Sequence, residues 1–256
     1  MRRILVLAYG VLNYAIFGAT FLYLAGFVGN LLVPKSMDSA AVGPFWQALL
    51  INALLVGVFA VQHSVMARPA FKRWWTRFVQ APIERSTYVL CTDLALILLF
   101  WQWRPLGGVI WDVHDPIARG MIYATSAFGW LTVLVTTFLI NHFDLFGLRQ
   151  VWLYFRGRPC SHLSFVTPGP YNLIRHPLYI GWMTAFWATP TMTAAHLLFA
   201  VGMTAYMLIA IRFEERDLLD FHGDRYADYR RRVPMLIPRL SVDSPLVKGN
   251  AGSSSH

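Results

Sequence analysis

Charge is scarce in this chain. Only 14% of its 256 residues are Asp, Glu, Lys or Arg, against about 25% in a typical soluble domain, so a water-facing shell over the whole surface is excluded. Cysteine is scarcer still, with Cys91 in an apolar stretch and Cys160 in a loop. With no Cys-x-x-Cys pair and no His–Cys spacing of metal-site type, neither a disulfide framework nor a structural zinc is expected. Polar residues inside the long apolar stretches are few (Asn13, Asn30, Asn52 and Asp93), too few to line a polar path for a transported solute. Internal repeats are absent, and so is a small-residue cleavage site after the first apolar stretch, Ile4 to Val33. That stretch is too long for a signal-peptide core and reads as a retained span.

What the chain has in plenty is apolar and aromatic surface. It is 56% hydrophobic, with 10 Trp, 11 Tyr and 18 Phe, a mean hydropathy of +0.46, and rings suited to a bilayer interface. Further apolar segments run from Phe45 to Val61, Tyr88 to Trp103 and Met121 to Ile140, the last close to the roughly 20 residues that cross a bilayer. Leu178 to Ile211 is too long for one helix and carries Pro190, which ends a helix by removing a donor and crowding the preceding turn. The expectation is an all-α, polytopic membrane bundle of five to six membrane helices. A C-terminal hairpin turns near Pro190, its first arm too short to cross fully. Of the 22 basic residues, 19 fall on one side of these spans and only Lys35, Arg104 and Arg119 on the other. By the positive-inside rule that side, with both termini, is cytosolic, and the expected location is a bacterial inner membrane. The net charge of +9 is then accounted for by topology and anionic headgroups, with no nucleic acid as partner.

Three polar clusters lie on the basic side. Gln62-His63-Ser64-Val65-Met66-Ala67-Arg68-Pro69 closes the second span, followed by an aromatic and basic stretch to Phe78 and then by Pro82-Ile83-Glu84-Arg85-Ser86-Thr87-Tyr88. Phe71, Trp74, Trp75 and Phe78 against Lys72, Arg73 and Arg77 suit a helix lying in the interface, and these basic residues serve topology. His63 and Glu84 serve none, which marks them as site candidates. The second cluster is Asn141-His142-Phe143-Asp144-Leu145-Phe146-Gly147-Leu148-Arg149-Gln150. If helical throughout, it would put His142 and Arg149 on roughly one face; its plainer reading is a helix end with a surface Asp–Arg pair worth little. The third cluster joins Thr167-Pro168-Gly169-Pro170-Tyr171, Arg175-His176-Pro177-Leu178-Tyr179, Arg212-Phe213-Glu214-Glu215-Arg216-Asp217 and Gly223-Asp224-Arg225-Tyr226 with Tyr229. Pro177 suits a first helical position, whose neighbouring free N–H groups could bind a carboxylate. Glu214 and Glu215 can accept from ammonium or ribose hydroxyls, and tyrosine rings can face a cation. The plain alternative for the glutamates is a solvated helix with Arg212–Glu215 and Arg216–Asp220 pairs.

Gly-Pro-Tyr…Arg-His-Pro-Leu-Tyr, Phe-Glu-Glu-Arg-Asp-Leu-Leu and Tyr-x-x-Tyr…Val-Pro-x-Leu-Ile-Pro, between Thr167 and Pro238, resemble the C-terminal half of the isoprenylcysteine carboxyl methyltransferase superfamily. Gln-His-Ser-Val-Met-Ala-Arg-Pro and Glu-Arg-Ser-x-Tyr resemble its NnrU-like branch. Asn-His-Phe-Asp-Leu-Phe-Gly-Leu-Arg-Gln is similar to a stretch of the bacterial methanethiol S-methyltransferases. The resemblance implies an enzyme that binds S-adenosylmethionine in a cytosol-facing pocket and methylates a small thiol, methanethiol to dimethyl sulfide, beside the lipid bilayer. It implies one domain over residues 1–240, with a substrate-side half at 45–165 and a cofactor half at 166–240. The tail at 241–256 is expected to be disordered, in part an expression tag. Carried onto this chain, the cofactor residues are Gly169, Tyr171, Arg175, His176, Pro177, Tyr179, Glu214 and Glu215, then Tyr226 and Tyr229. A thiol is mostly protonated at neutral pH (free Cys titrates near ~8.5), so a base is needed. His142 is the choice, oriented by Asp144 and helped by the field of Arg149, with His63 and Glu84 next. His196 is expected at the outer turn of the hairpin or packed on a neighbour, and His114 and His162 as plain loop residues. The competing readings are methylation of a prenyl-cysteine carboxylate or a phospholipid, a sterol-type reductase, for which the chain is short, and a non-enzymatic membrane protein.

Overall fold

The computed structural model describes residues 1–41, 43–160 and 165–238. His162, Arg239, Lys248 and the expected tail lie outside the described residues. The chain begins with α1 (Arg2–Gly29), which Asn30 ends in a left-handed conformation (φ 56°). The helix α2 (Phe45–Ala67) runs six residues past the expected end of the second span, so Gln62, His63 and Ser64 are helical. After it, α3 (Pro69–Trp75) is the short aromatic and basic helix, and α4 (Ala81–Gln102) starts with Pro82 in its first turn. A strand β1 (Val109–Asp112) precedes α5 (Pro116–Ile140), whose first turn is capped by the Asp115 carboxylate accepting from the Ala118 N–H.

Beyond α5 the helix breaks twice. Asn141 takes φ 140° and its side chain caps α6 (His142–Leu145); Gly147, left-handed at φ 86°, then starts α7 (Leu148–Phe155). The single helical face expected to join His142 and Arg149 therefore does not form. A 3₁₀ turn at Gly169–Asn172 leads to α8 (Pro177–Trp187), β2 (Thr191–Thr193), α9 (Ala194–His222) and α10 (Asp224–Arg232).

The protein is an all-α integral membrane bundle. Helices α1, α2, α5 and α9 are long and apolar enough to cross a bilayer. The fifth long helix, α4, has 22 residues and packs against both α1 and α2. Its Glu84, Arg85 and Asp93 lower its apolarity. At 11 residues, α8 is about 16 Å long, half of a hydrocarbon core of about 30 Å, so the first arm of the hairpin is short as expected. It leans on α5 through two glycines. A Cβ at Gly129 would lie 2.6 Å from the Ala185 nitrogen, and one at Gly181 2.9 Å from the Val133 nitrogen. Small residues let backbones meet where lipid offers no hydrophobic drive for association.

The hairpin turns through Ala188 to Thr193, around Pro190, and there β2 pairs antiparallel with β1, Val109 opposite Thr193 and Asp112 opposite Thr191. The same end buries Asp38, which accepts from Thr193, from Asn30 at 2.6 Å and from the His196 ring at 3.0 Å. Burial raises the Asp38 carboxyl, but these hydrogen bonds and the His196 charge more than offset it and hold it below the usual carboxylate range. The other His196 nitrogen bonds the Phe186 carbonyl at 2.9 Å, so this histidine lies beside the hairpin turn and is packed. Phe27, Trp103, Phe186 and Phe199 fill the core beside it.

Candidate active site

Parts of all three polar clusters meet at the end of the bundle away from the β-ladder. They surround a cavity of about 290 Å³ to which α4 contributes Arg85, the α5–α6 junction Asn141 and Asp144, and the segment before α8 Tyr171, Arg175 and His176. Glu214, Leu218 and His222 come from α9, Tyr226 and Tyr229 from α10. Two glycines permit the close approach. Ser86 lies within 2.6 Å of where a Gly147 Cβ would be, drawing α4 against the α6–α7 link. Gly169 is left-handed at φ 52°, where the chain turns into Tyr171.

Neighbouring residues on a helix do not share a face, and the two glutamates of α9 part accordingly. Glu214 points at the cavity and its Oε2 accepts from the Tyr179 hydroxyl at 2.8 Å. Glu215 points behind the wall. Its Oε1 meets Arg175 Nε at 2.7 Å and His176 Nε2 at 3.0 Å, and its Oε2 meets Arg230 Nε at 3.3 Å. The solvated Arg212–Glu215 alternative is therefore not what forms. Arg175 also donates to the Val233 and Arg230 carbonyls. The amides of Arg175 and His176, just before the helix entry at Pro177, donate to the Pro234 and Met235 carbonyls at 2.9 and 3.2 Å. The exit segment thus lies as a strap along the approach to α8.

The Tyr171 and Tyr226 hydroxyls are buried with no hydrogen-bond partner among the described residues. Such a group costs about 1–3 kcal/mol when left unsatisfied. Burial above all, and then the nearby carboxylates, raise both above the usual phenol range, so both are neutral donors. Tyr229 is pushed up to about 12 by burial, against the charge of Arg175 and with that of Glu215; its hydroxyl donates to the Tyr171 carbonyl at 2.6 Å. Phe165 stands edge-on to both Tyr226 and Tyr229. Arg85 donates from Nε to the Leu145 carbonyl, lies over the Tyr88 ring and has no carboxylate within 4 Å among the described residues. Two cations, two carboxylates, aromatic rings and two unpartnered hydroxyls together suit a zwitterion with a flat ring.

Of the residues expected to bind cofactor, Tyr171, Arg175, His176, Glu214, Tyr226 and Tyr229 line this cavity, while Gly169, Pro177, Tyr179 and Glu215 do not. Among the expected catalytic residues only Asp144 lines it. The expected Asp144–His142 pair is not formed. Asp144 accepts from Arg149 at 2.8 Å and from Gln150, which is the plain helix-end pair. His142 is buried, with Nε2 bonded to the Tyr14 hydroxyl and Nδ1 to Thr137 Oγ1, each at 2.8 Å. It stacks on Phe138 at 4.1 Å, and burial lowers its pKa, so it is neutral at pH 7. His142 lines an adjoining recess of about 440 Å³. His63 is held between Tyr88 and Thr92 at 3.0 and 3.2 Å, and Glu84 faces Lys72 at 3.4 Å; neither lines either cavity. Arg85, Asn141, Phe165 and His222 line the main cavity without having been singled out. Arg85 and Asn141 lay within quoted motifs, whereas nothing local in the sequence marks Phe165 or His222.

The phospholipid methyltransferase family matches residues 125–225, the stretch from α5 into α10. The chain is 56% identical to the methanethiol S-methyltransferase of Mycobacterium tuberculosis over 238 residues, 93% of this chain and 98% of that protein. It is 54% identical to the methanethiol S-methyltransferase of Crocosphaera subtropica over 244 residues, 95% and 96% of the two chains. It is 53% identical to methanethiol S-methyltransferase 2 of Bradyrhizobium diazoefficiens over 238 residues, 93% and 92% of the two chains. No solved structure matches the chain.

Proposed function

The chain belongs to the methanethiol S-methyltransferase family, and on that premise we propose that it methylates a small thiol, methanethiol to dimethyl sulfide, with S-adenosylmethionine as donor. The reaction would take place at the cytosolic boundary of a bacterial inner membrane, both termini cytosolic, as the basic residues suggest. One observation carries the donor assignment: opposite charges and two unpartnered buried tyrosine hydroxyls converge on a single cavity. Arg85 and Arg175 suit the donor's carboxylate, Glu214 and Asp144 its ammonium and hydroxyls. Phe165, Tyr226 and Tyr229 suit the adenine or the sulfonium charge. Pro177, Tyr179, Gly169 and Glu215 hold those groups in place. The donor supplies a methyl bound to a positively charged sulfur.

The remaining chemistry belongs to the chain. Thr137 donates its hydroxyl proton to the Leu134 carbonyl, so the neutral His142 ring carries its proton on Nδ1 and accepts from Tyr14 at Nε2. The acceptor thiol then loses its S–H proton to the Tyr14 oxygen as Tyr14 passes its own to Nε2. A sulfur lone pair forms the new carbon–sulfur bond as the old one breaks, its electron pair leaving with the donor's thioether. Opposite charges merge in this step, so the apolar walls around the junction favour it over water. Much of the rate would come from holding the two sulfurs in line.

The test is methyl transfer from labelled S-adenosylmethionine to methanethiol by detergent-purified protein, with donor affinity measured by calorimetry. Labelled volatile dimethyl sulfide, with donor binding weakened in Glu214→Gln and Tyr226→Phe, is the expected outcome. Donor binding without volatile product would move the acceptor to a phospholipid or a prenyl-cysteine carboxylate. Absence of donor binding would overturn the reading.

A further inference from the structure

A second hollow lies beside the donor cavity. The recess of about 440 Å³ shares Ile140, Asn141 and Val166 with the donor cavity and is otherwise walled by Phe138, Leu139, Phe143 and His142. The two spaces therefore meet along a seam at the α5–α6 break. Phe138, Phe143 and Val166 are 52%, 47% and 54% exposed, so the recess opens outward between apolar side chains. Its rear wall is the last turn of α5, a helix apolar enough to cross the bilayer, which puts its mouth against hydrocarbon or at its margin. Among the described residues no Lys, Arg, Asp or Glu lines it. A zwitterion there would lose hydration with no counter-charge to replace it, whereas a neutral apolar thiol would lose nothing. Asn141 sits on the seam in a backbone conformation (φ 140°) rarely taken by a residue with a side chain. Such strain persists only where the surroundings impose it and clusters at functional sites; here the Asn141 cap on α6 helps fix it.

Building on the thiol-methyltransferase reading, we propose that this recess is the acceptor subsite, that it takes neutral thiols from the bilayer side, and that it accepts acceptors well beyond methanethiol in size. Its volume lies in the range that holds drug-sized ligands, about 300–1,000 Å³, and methanethiol has two heavy atoms. His142 on the recess wall then draws the S–H proton through the Tyr14 hydroxyl at its Nε2, and the seam at Asn141 brings the acceptor sulfur to the donor cavity.

The experiment is a series of methanethiol, ethanethiol, butanethiol and benzenethiol, assayed with saturating S-adenosylmethionine on the full chain in detergent. Leu139→Trp narrows the recess, Phe143→Ala widens it, and neither residue lines the donor cavity. In the wild type all four thiols are expected to be methylated. Leu139→Trp should raise KM for butanethiol and benzenethiol on the order of tenfold, the discrimination one or two methylenes give in an apolar pocket. It should raise KM for methanethiol less, since the smallest thiol needs the least of the recess, and leave donor affinity unchanged because Leu139 does not line the donor cavity. Phe143→Ala, which relieves crowding, should favour benzenethiol over methanethiol. If methanethiol is methylated and longer thiols are not, the recess proposal alone fails. KM values insensitive to both substitutions would make the recess a lipid-contact surface and overturn it. If no thiol at all is methylated, the function proposed above fails and the recess proposal falls with it.

Discussion

Replacing Glu215 by glutamine takes one negative charge from a place where three positively charged or protonatable groups depend on it. Arg175 and Glu215 are 9% and 8% exposed, 2.7 Å apart, and His176 shares the same carboxylate oxygen. Without that charge Arg175 keeps neutral acceptors, the Val233 and Arg230 carbonyls and the glutamine oxygen, and loses its counter-charge. Breaking a buried pair on one side costs about 3–5 kcal/mol. Arg230, half exposed, adds less than about 1 kcal/mol, and glutamine keeps one acceptor, which points to about 3 kcal/mol. At about 2–4 °C per kcal/mol for a domain of this size, E215Q should melt roughly 6–12 °C below wild type in a detergent thermal-unfolding scan. E214Q is the contrast, since Glu214 bonds one neutral hydroxyl beside the cavity. Its melting temperature should move by less than about 4 °C, a cost below about 1 kcal/mol, while its donor affinity falls. E215Q melting with wild type, or E214Q melting far below it, would refute the division of labour drawn between the two carboxylates.

Other substitutions probe the remaining parts. Gly181→Val sets a side chain against backbone on both sides, 2.9 Å from the Val133 nitrogen and 3.0 Å from the Gly129 carbonyl. It should destabilise the α5–α8 contact by at least about 1–3 kcal/mol, seen as a lower melting temperature and lower folded yield. Tyr171→Phe and Tyr226→Phe remove unpartnered hydroxyls, so the unliganded protein should melt no lower than wild type. Each should weaken donor binding roughly two- to tenfold, the worth of one hydrogen bond, by calorimetry. His142 has a lowered pKa because it is buried, so it stays neutral until the pH falls below the usual value of about 6.5. Activity should be flat in His142 at neutral pH and drop on the acid side of about 6.5, and H142Q should erase that limb in a profile over about pH 5–8. The same lowered pKa means that stability is lost as pH falls through the folded value, because the unfolded chain binds the proton more readily. Asp38→Asn breaks the His196 pair at the opposite end; it should lower the melting temperature with KM for thiol and donor unchanged.

The segments that build the site were legible because polar residues beside a membrane span are costly and therefore stand out. Their side-chain geometry was not. Glu214 and Glu215 are adjacent in an identical local context, and only the position of Arg175, forty residues away, decides which one is structural. Arg85 reads as one more basic residue of a cytosolic loop, yet the Ser86–Gly147 contact turns the start of α4 so that it lines the cavity. His142 and Asp144 look like a base and its orienter in sequence. Thr137, one turn back on α5, takes the ring nitrogen first, and the break at Gly147 hands Asp144 to Arg149. The spans were placed by hydropathy, but their ends moved, since α2 continues through His63 on favourable packing rather than on apolarity. Strands of three and four residues hold no alternation long enough to read.

That small ladder has a mechanical consequence. It fastens the link between α4 and α5 to the tip of the hairpin, and with the Asp38–His196 pair it makes one end of the bundle a fixed pivot, like the joined end of a pair of tongs. At the other end the helices are held by side chains instead, through the Glu215 network and ion pairs such as Arg68–Asp217, and by the strap at Val233 to Met235. A bulky donor that must pass in, and its spent form out, therefore has its way at the end of the bundle that no strand ladder ties.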